Sequence, residues 1–211
     1  MKPLAILGGT FDPVHIGHLR VAWEAAEALD AEVRLMPAHV PPHRPQPQAS
    51  PAHRVAMLRL ALAGQARLAL DERELSRPGP SYTVDTLREL RREIGLQRPL
   101  LLLVGADAYA GLPGWHDWLE LYALAHLVVL TRPGHAVEWS GVLALETRAR
   151  QIGSATALRD APAGRVLELA VTPLELSASH LRAEFAAGRE PRYLVPEAVL
   201  AYIQAHDLYI G

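Results

Sequence analysis

Residues 8–19 read GGTFDPVHIGHL and join an apolar run to an amphipathic one. The apolar run, PLAILGG at residues 3–9, is typical of a buried strand, and apolar side chains recur at helical spacing from residue 17 to residue 29. Gly8 and Gly9 allow a tight turn and a close approach of the backbone to a ligand. The stretch therefore predicts a strand, a turn and a helix, the opening unit of an α/β fold.

Strand and helix patterns alternate along the rest of the chain. The strand patterns cover residues 31–38, 66–70, 98–107, 126–134 and 165–173. The helix patterns cover residues 51–63, 81–95, 177–187 and 196–205. This alternation predicts an α/β fold with a Rossmann-like, doubly wound parallel sheet and a helical C-terminal end at about residues 173–211. We expect a single domain over residues 1–211, and residues 134–164 allow no assignment.

The composition excludes several classes of chemistry. The 211 residues are 50% hydrophobic and carry a net charge of −2, as expected for a globular chain without a nucleic-acid partner. The absence of cysteine excludes disulfides, thiolate metal sites and cysteine nucleophiles. Lys2 is the only lysine, so any phosphate contact must come from arginine, histidine or backbone N–H groups. No apolar stretch is long enough to span a membrane, and we expect a cytoplasmic protein.

His15 and His18 lie where the first strand passes into the first helix. At this spacing they share one helix face, and the helix start adds N–H donors and the positive end of its dipole. With the Thr10 hydroxyl, they could bind an anion without a lysine. Two alternatives stay open: an ordinary turn with solvated histidines, or a metal site formed with His39 and His43. No acidic residue at ligand spacing supports the metal site, and we predict no metal-ligating residues.

The whole string GGTFDPVHIGHL resembles the G-x-F-x-P-x-H-x-G-H signature of the nucleotidylyltransferases, relatives of the class I aminoacyl-tRNA synthetase core. The resemblance implies that His15 and His18 contact the triphosphate of a bound nucleotide. It also implies an ATP site that includes Gly8, Gly9, Thr10 and Phe11.

A second stretch, LSASHLR at residues 176–182, resembles the I-S-S-T-x-I-R signature of the same superfamily. Ala178 replaces the second serine, Ser179 the threonine and Leu181 the isoleucine. Ser177 is a suitable helix cap, and the guanidinium of Arg182 can bind phosphate in two-pronged fashion. The resemblance implies that Ser179 and Arg182 bind ATP and that Arg182 acts with His15 and His18 in catalysis. Alone, the stretch would be a capped surface helix with an exposed arginine.

Further stretches are similar to the bacterial nicotinate mononucleotide adenylyltransferases, so that the resemblance runs from residue 4 to about residue 205. They are PPHR (41–44), with arginine where lysine is usual, SYTVDTL (81–87), VGADAYAGLPGWHDW (104–118) and RYLVPEAVLAYI (192–203). The resemblance adds Gly105 and Asp107 to the ATP site. It implies a mononucleotide site of His43, Arg44, Tyr82, Thr83 and Trp115.

The residue types suit these roles. Trp115 offers a flat face for a pyridine ring, although a loop tryptophan packed on the core is the alternative. Tyr82 and Thr83 lie at a predicted helix start, where backbone N–H groups could hold the nicotinate carboxylate. Asp107 follows an apolar strand, where it could accept a ribose hydroxyl or serve as a helix N-cap.

The resemblance implies adenylyl transfer from ATP to nicotinate mononucleotide, with Mg²⁺ carried on the phosphates, and a possible homo-oligomer. Two other functions stay open. One is another transferase of this superfamily, such as a pantetheine-phosphate adenylyltransferase or a cytidylyltransferase, against which SYTVDTL and the Trp115 stretch argue. The other is a non-catalytic nucleotide-sensing module, against which the presence of both histidines and Arg182 argues.

Overall fold

The computed structural model describes residues 1–39, 46–133, 138–172 and 174–210. Its centre is a seven-stranded parallel sheet in the order β3-β2-β1-β4-β5-β7-β6. The strands are β1 (Leu4–Gly9), β2 (Glu32–Pro37), β3 (Leu68–Leu70), β4 (Leu100–Gly105), β5 (His126–Thr131), β6 (Gln151–Ile152) and β7 (Val166–Ala170).

Helices connect the strands. They are α1 (Ile16–Ala28), α2 (Pro51–Leu62), α3 (Thr83–Ile94), α4 (Ala106–Ala110), α5 (Leu121–Leu124), α6 (Gly141–Arg150), α7 (Ala178–Ala186) and α8 (Glu197–Ala205). Local sequence explains several boundaries. Ser50 accepts a hydrogen bond from the His53 N–H and precedes Pro51 at the first helical position of α2. Gly95 ends α3 with φ of 79°, a conformation that favours glycine.

The sheet separates two hydrophobic layers, because successive side chains of a strand point to opposite faces. On β4, Leu101 and Leu103 pack in the layer formed with α1, α2, α7 and α8. Leu100 and Leu102 of the same strand pack in the layer formed with α3 to α6. All six residues of β5 are buried, as expected for a strand covered on both faces. The predicted doubly wound α/β fold is therefore confirmed, including the helices of the C-terminal end.

The sheet reverses its strand order between β1 and β4, which lie side by side. The chain leaves these two strands in opposite directions, so a crevice opens beyond their carboxyl ends. Gly8 and Gly9 end β1, and Gly105 ends β4. The fold thus brings both glycine-containing turns to one edge of the sheet.

The unassigned residues contain α6, β6 and a short 3₁₀ helix at Ala155–Arg159. Helix α6 buries only Leu143 and Thr147 in this structure, which is too few to give a helical apolar pattern. In the described part of the chain, no helix has the length and apolar character needed to cross a membrane.

Candidate active site

A cleft of about 1100 Å³ lies beyond the carboxyl ends of β1, β4 and β5. Every predicted site residue within the described ranges lines it. One end, which we call the histidine–arginine end, contains His15, His18, Ser179 and Arg182. The other, the aromatic end, contains Tyr82, Trp115 and His116. Two motifs separated by about 160 residues in the sequence thus face the same space.

His15 and His18 form a stacked pair at the start of α1. Their ring centroids are 3.7 Å apart and the ring planes are 25° apart. The backbone N–H of His15 donates to Nδ1 of His18 at 3.3 Å, so a neutral His18 carries its proton on Nε2. His15 is only 4% exposed, and this burial lowers its pKa to about 4. At neutral pH, His15 is therefore an uncharged ring that can donate a hydrogen bond.

The start of α1 offers a ligand fewer backbone donors than the sequence suggested. The Ile16 N–H, the first of the helix, donates to the carbonyl oxygen of Leu194 at 3.0 Å. The segment 191–195, just before α8, therefore takes up one N–H group that the sequence predicts to be available to a bound anion. The sequence did not predict this hydrogen bond, because Leu194 is far from Ile16 in the sequence.

Phe11 and the adjacent glycines shape this turn. Phe11 is 1% exposed, has a φ of 50° and lies edge-to-face with His18 at 5.0 Å between ring centroids. A Cβ on Gly9 would lie 2.9 Å from the Phe11 ring, and one on Gly17 would lie 3.0 Å from the His15 ring. Gly8 has open space at the corresponding position. Gly9 is thus required by the protein's own packing, whereas Gly8 keeps the cleft open.

Helix α7 supplies the arginine. The Ser177 hydroxyl caps the helix by accepting the His180 N–H at 3.1 Å, as predicted. Arg182 donates from Nη2 to the Ser179 hydroxyl at 3.2 Å and from Nη1 to the Asp12 carbonyl oxygen at 2.7 Å. The guanidinium is therefore fastened to the loop that follows β1, beside the two histidines.

The aromatic end is built on the start of α3. Tyr82 occupies the N-cap position but makes no side-chain hydrogen bond to the helix, so Thr83 begins α3 without a capping side chain. The His116 ring lies 4.6 Å from the Tyr82 ring, centroid to centroid. Trp115 is half-buried and lines the cleft beside them. The predicted helix start and the predicted stacking residue therefore face one space.

Asp107 lies in the first turn of α4, where it lines the cleft. The N-cap of this helix is Gly105, so the alternative that Asp107 is itself the cap is wrong. His39, a member of the alternative metal site, uses Nδ1 in a 3.1 Å contact with the Arg77 carbonyl oxygen. His43 and Arg44 lie outside the described residues. Within those residues, no group of three or more histidine, aspartate or glutamate side chains could hold a metal ion.

The sequence model of the cytidylyltransferase-like family matches residues 6–161. A "Probable nicotinate-nucleotide adenylyltransferase" of Marinobacter nauticus is 50% identical over 205 residues, which are 97% of this chain and 95% of that protein. One of the same description from Pseudomonas putida is 49% identical over 210 residues, which are 99% and 95% of the two chains. The chain belongs to the cytidylyltransferase-like family, in its nicotinate-nucleotide adenylyltransferase branch.

A solved structure supports the fold of this branch. It is described as Plasmodium falciparum nicotinic acid mononucleotide adenylyltransferase complexed with NaAD. The TM-score is 0.74 at 14% identity, with 99% of this chain and 98% of that chain covered. At this identity the likeness establishes the shared fold.

Sequence reasoning missed two buried carboxylates at the cleft of this adenylyltransferase-family chain. Asp12 accepts backbone N–H groups from Gln48 and Ala49 at 2.7 and 3.0 Å. Glu74 accepts the Thr86 hydroxyl at 2.7 Å beneath the start of α3, and burial raises its pKa. The only sequence signal was the place of Asp12 inside the first motif, since Glu74 lies outside every motif.

Proposed function

We propose that the protein transfers the adenylyl group of ATP to nicotinate mononucleotide, giving nicotinate adenine dinucleotide (deamido-NAD) and pyrophosphate. The observation that carries the proposal is the presence of His18 and Arg182 in one cleft, brought there by the two motifs. The relatives' names point to the same reaction. The cleft is lined by residues from Ile6 to Arg182, which supports one nucleotidylyltransferase domain over residues 1–211.

The reaction requires the protein mainly to align the two substrates and to neutralise their negative charge. The nucleophile is the phosphate of nicotinate mononucleotide, which is already anionic at neutral pH, so no general base is needed. It attacks the α-phosphorus of ATP in line with the leaving pyrophosphate. Holding both polyanions in this geometry supplies much of the rate enhancement.

We assign the histidine–arginine end to the triphosphate. Arg182 supplies the fixed positive charge, and His18 and neutral His15 donate hydrogen bonds to the phosphates as charge moves onto the leaving group. Gly8, Gly9, Thr10 and Phe11 shape the turn beneath them. We also assign Gly105, Asp107 and Ser179 to the ATP site.

We assign the aromatic end to nicotinate mononucleotide. Trp115 stacks on the pyridine ring, and the uncapped start of α3 at Tyr82 and Thr83 binds the carboxylate through backbone N–H groups. Beneath this helix start lies the buried Glu74, whose carboxylate accepts the Thr86 hydroxyl and is thereby held within the protein. His43 and Arg44 stay predicted contacts to the phosphates where donor and acceptor meet.

Mg²⁺ enters this proposal as part of the ATP substrate. The donors that line the histidine–arginine end are imidazole, guanidinium and hydroxyl groups, which suit phosphate oxygens and not a protein cage for Mg²⁺. We assign no step to the ion. A homo-oligomer and a cytoplasmic location stay predictions.

Pyrophosphate release from ATP tests the proposal. With nicotinate mononucleotide, we expect turnover that falls on the order of a hundredfold, or about 3 kcal/mol, in the His18→Ala variant. The exposed His206, replaced by alanine, is the matched control and should keep wild-type turnover. Replacing the acceptor by nicotinamide mononucleotide or by pantetheine phosphate tests the competing substrates. ATP binding without release of pyrophosphate from ATP in the presence of any of these acceptors would refute the proposal and support a nucleotide-sensing module.

A further inference from the structure

The last residues of the chain return to the histidine–arginine end. After α8 ends at Ala205, the chain turns and places Tyr209 in the interior, 9% exposed. The Tyr209 hydroxyl donates to Oδ1 of Asp12 at 2.8 Å. Burial raises the Tyr209 pKa, and the negative charge of Asp12 raises it further. The phenol is therefore a proton donor to the carboxylate throughout the neutral range.

Asp12 is the point at which four parts of the chain meet. Its Oδ1 accepts the Tyr209 hydroxyl and the Ala49 N–H, while its Oδ2 accepts the Gln48 N–H. Arg182 Nη1 lies 3.6 Å from Oδ2 and donates to the backbone carbonyl of the same residue at 2.7 Å. The carboxylate is 2% exposed, so these contacts are shielded from solvent and screening.

A second arginine lies behind this carboxylate. Arg54 is completely buried, and its Nη1 donates to the carbonyl oxygens of Thr10 and Ala38 at 2.9 and 2.8 Å. Burial lowers the Arg54 pKa, and the Asp12 charge acts in the opposite direction. The negative charge of Asp12 therefore acts on Arg54 as well as on Arg182. Arg182 is among the residues that line the cleft, and Arg54 is not.

We propose that Tyr209 is a positioning residue for adenylyl transfer, acting on Arg182 through Asp12. The inference rests on the proposed function. The Tyr209 hydroxyl fixes the rotation of the carboxylate and so keeps Oδ2 directed to Gln48 and Arg182. Without the hydroxyl, Oδ1 keeps only the Ala49 N–H, so the carboxylate that faces the Arg182 guanidinium at 3.6 Å is held less firmly and the guanidinium is less well positioned.

Tyr209→Phe removes the hydroxyl and keeps the ring that stacks on Phe185 of α7, 6.0 Å away between centroids. We expect kcat for pyrophosphate release to fall about tenfold, with KM for nicotinate mononucleotide and the thermal midpoint little changed. Tyr193→Phe is the matched control, because its side chain is 87% exposed in the same C-terminal part. A tenfold loss in both variants, or in neither, would overturn the inference.

A double-mutant cycle separates positioning of Arg182 from a general structural role. In an Arg182→Lys background, Tyr209→Phe should lower kcat less than twofold, because the group it positions is gone. An undiminished tenfold loss in that background would refute the inference. Should Tyr209→Phe fail to fold, Asp12→Asn in both backgrounds tests the carboxylate through which Tyr209 acts, and an equal fall in kcat in the two backgrounds would refute the inference. Absence of turnover in the unmodified protein would instead refute the proposed function.

Discussion

The two ends of the cleft satisfy their helix starts in different ways. At the histidine–arginine end, the protein itself occupies one donor of each helix start: the Leu194 carbonyl accepts the first N–H of α1, and the Ser177 hydroxyl accepts the His180 N–H of α7. At the aromatic end, Tyr82 leaves the start of α3 without a capping side chain. The burial of individual side chains differs as well, since His15 is almost fully buried whereas Trp115 is half-buried.

This difference indicates two modes of recognition. At the histidine–arginine end, the ligand would meet side chains held in place by contacts across the whole chain, from Asp12 to Tyr209. At the aromatic end, it would meet backbone donors and ring faces that belong to one helix start and one loop. A site that stabilises a transition state gains from the first arrangement, because preorganised groups need not move during the reaction. Binding of one substrate, without stabilisation of a transition state, needs only the second arrangement.

Lowering the pH should reduce the free energy of unfolding, because His15 is buried as an uncharged ring. Its pKa is about 4 in the folded protein, against the ordinary value of 6.5. Between these values the unfolded chain binds the proton and the folded protein does not, so the free energy of unfolding falls as pH falls from 6.5 to 4. His15 accounts for roughly 3 kcal/mol of this loss. Urea unfolding at pH 7 and pH 4 should therefore show a smaller loss in His15→Gln than in the unmodified protein.

The exposed His206 provides the control for this experiment, since His206→Gln should lose as much stability as the unmodified protein. The pKa of His126 is also lowered by burial, and its contribution cancels because it is present in every variant. An equal loss in His15→Gln and the unmodified protein would show that the histidine–arginine end is open to protons.

The sequence could predict most of the fold because local chemistry determines it. A strand covered on both faces is mostly a continuous apolar run, as in residues 127–130 of β5. Ser50 and Pro51 together meet the requirements of a helix start in two adjacent residues. Helix α6 escaped prediction because its few buried side chains leave no periodic pattern. Its neighbourhood is held instead by Tyr109, whose hydroxyl lies 2.7 Å from that of Thr147.

The candidate site was predictable to the extent that its residues belong to motifs. The partners of Asp12 were not, because Gln48 and Tyr209 come together with it only in the folded chain. The same holds for Leu194, which changes the number of donors available at α1. The motifs thus predict the groups that would touch a ligand. The groups that hold those side chains in place are distant in the sequence, and only the folded structure shows them.

Removing Trp115 should weaken the aromatic end without affecting the other. Stacking on a heteroaromatic ring contributes about 2 kcal/mol, so Trp115→Ala should raise the Kd for nicotinate mononucleotide about thirtyfold. The KM for ATP should stay within twofold. Calorimetric titration with the mononucleotide measures the first quantity and pyrophosphate release the second.

Trp118→Ala is the control for this prediction, because Trp118 is near in the sequence but packs toward Tyr122, with ring centroids 6.1 Å apart. It should leave the Kd for the mononucleotide unchanged. If Trp115→Ala instead raised the KM for ATP, the assignment of the two ends would have to be exchanged.

The smallest effect should come from a single backbone donor. Thr83 is the first residue of α3, where proline fits the helix backbone and removes the N–H together with the threonine hydroxyl. Tyr82 has φ of −79° and ψ of 128°, which a following proline permits. Because the carboxylate keeps other donors in this first turn, Thr83→Pro should cost about 1 kcal/mol of nicotinate mononucleotide binding. Calorimetric titrations with the acid and the amide mononucleotide measure this change.

The amide mononucleotide makes this prediction specific to the carboxylate. Its affinity should change little in Thr83→Pro, so the preference for the acid over the amide should fall about fivefold. Glu197→Pro makes the same change at the first residue of α8, away from the cleft, and should leave both affinities unaltered. Equal losses for acid and amide would mean that the start of α3 shapes the pocket without binding the carboxylate.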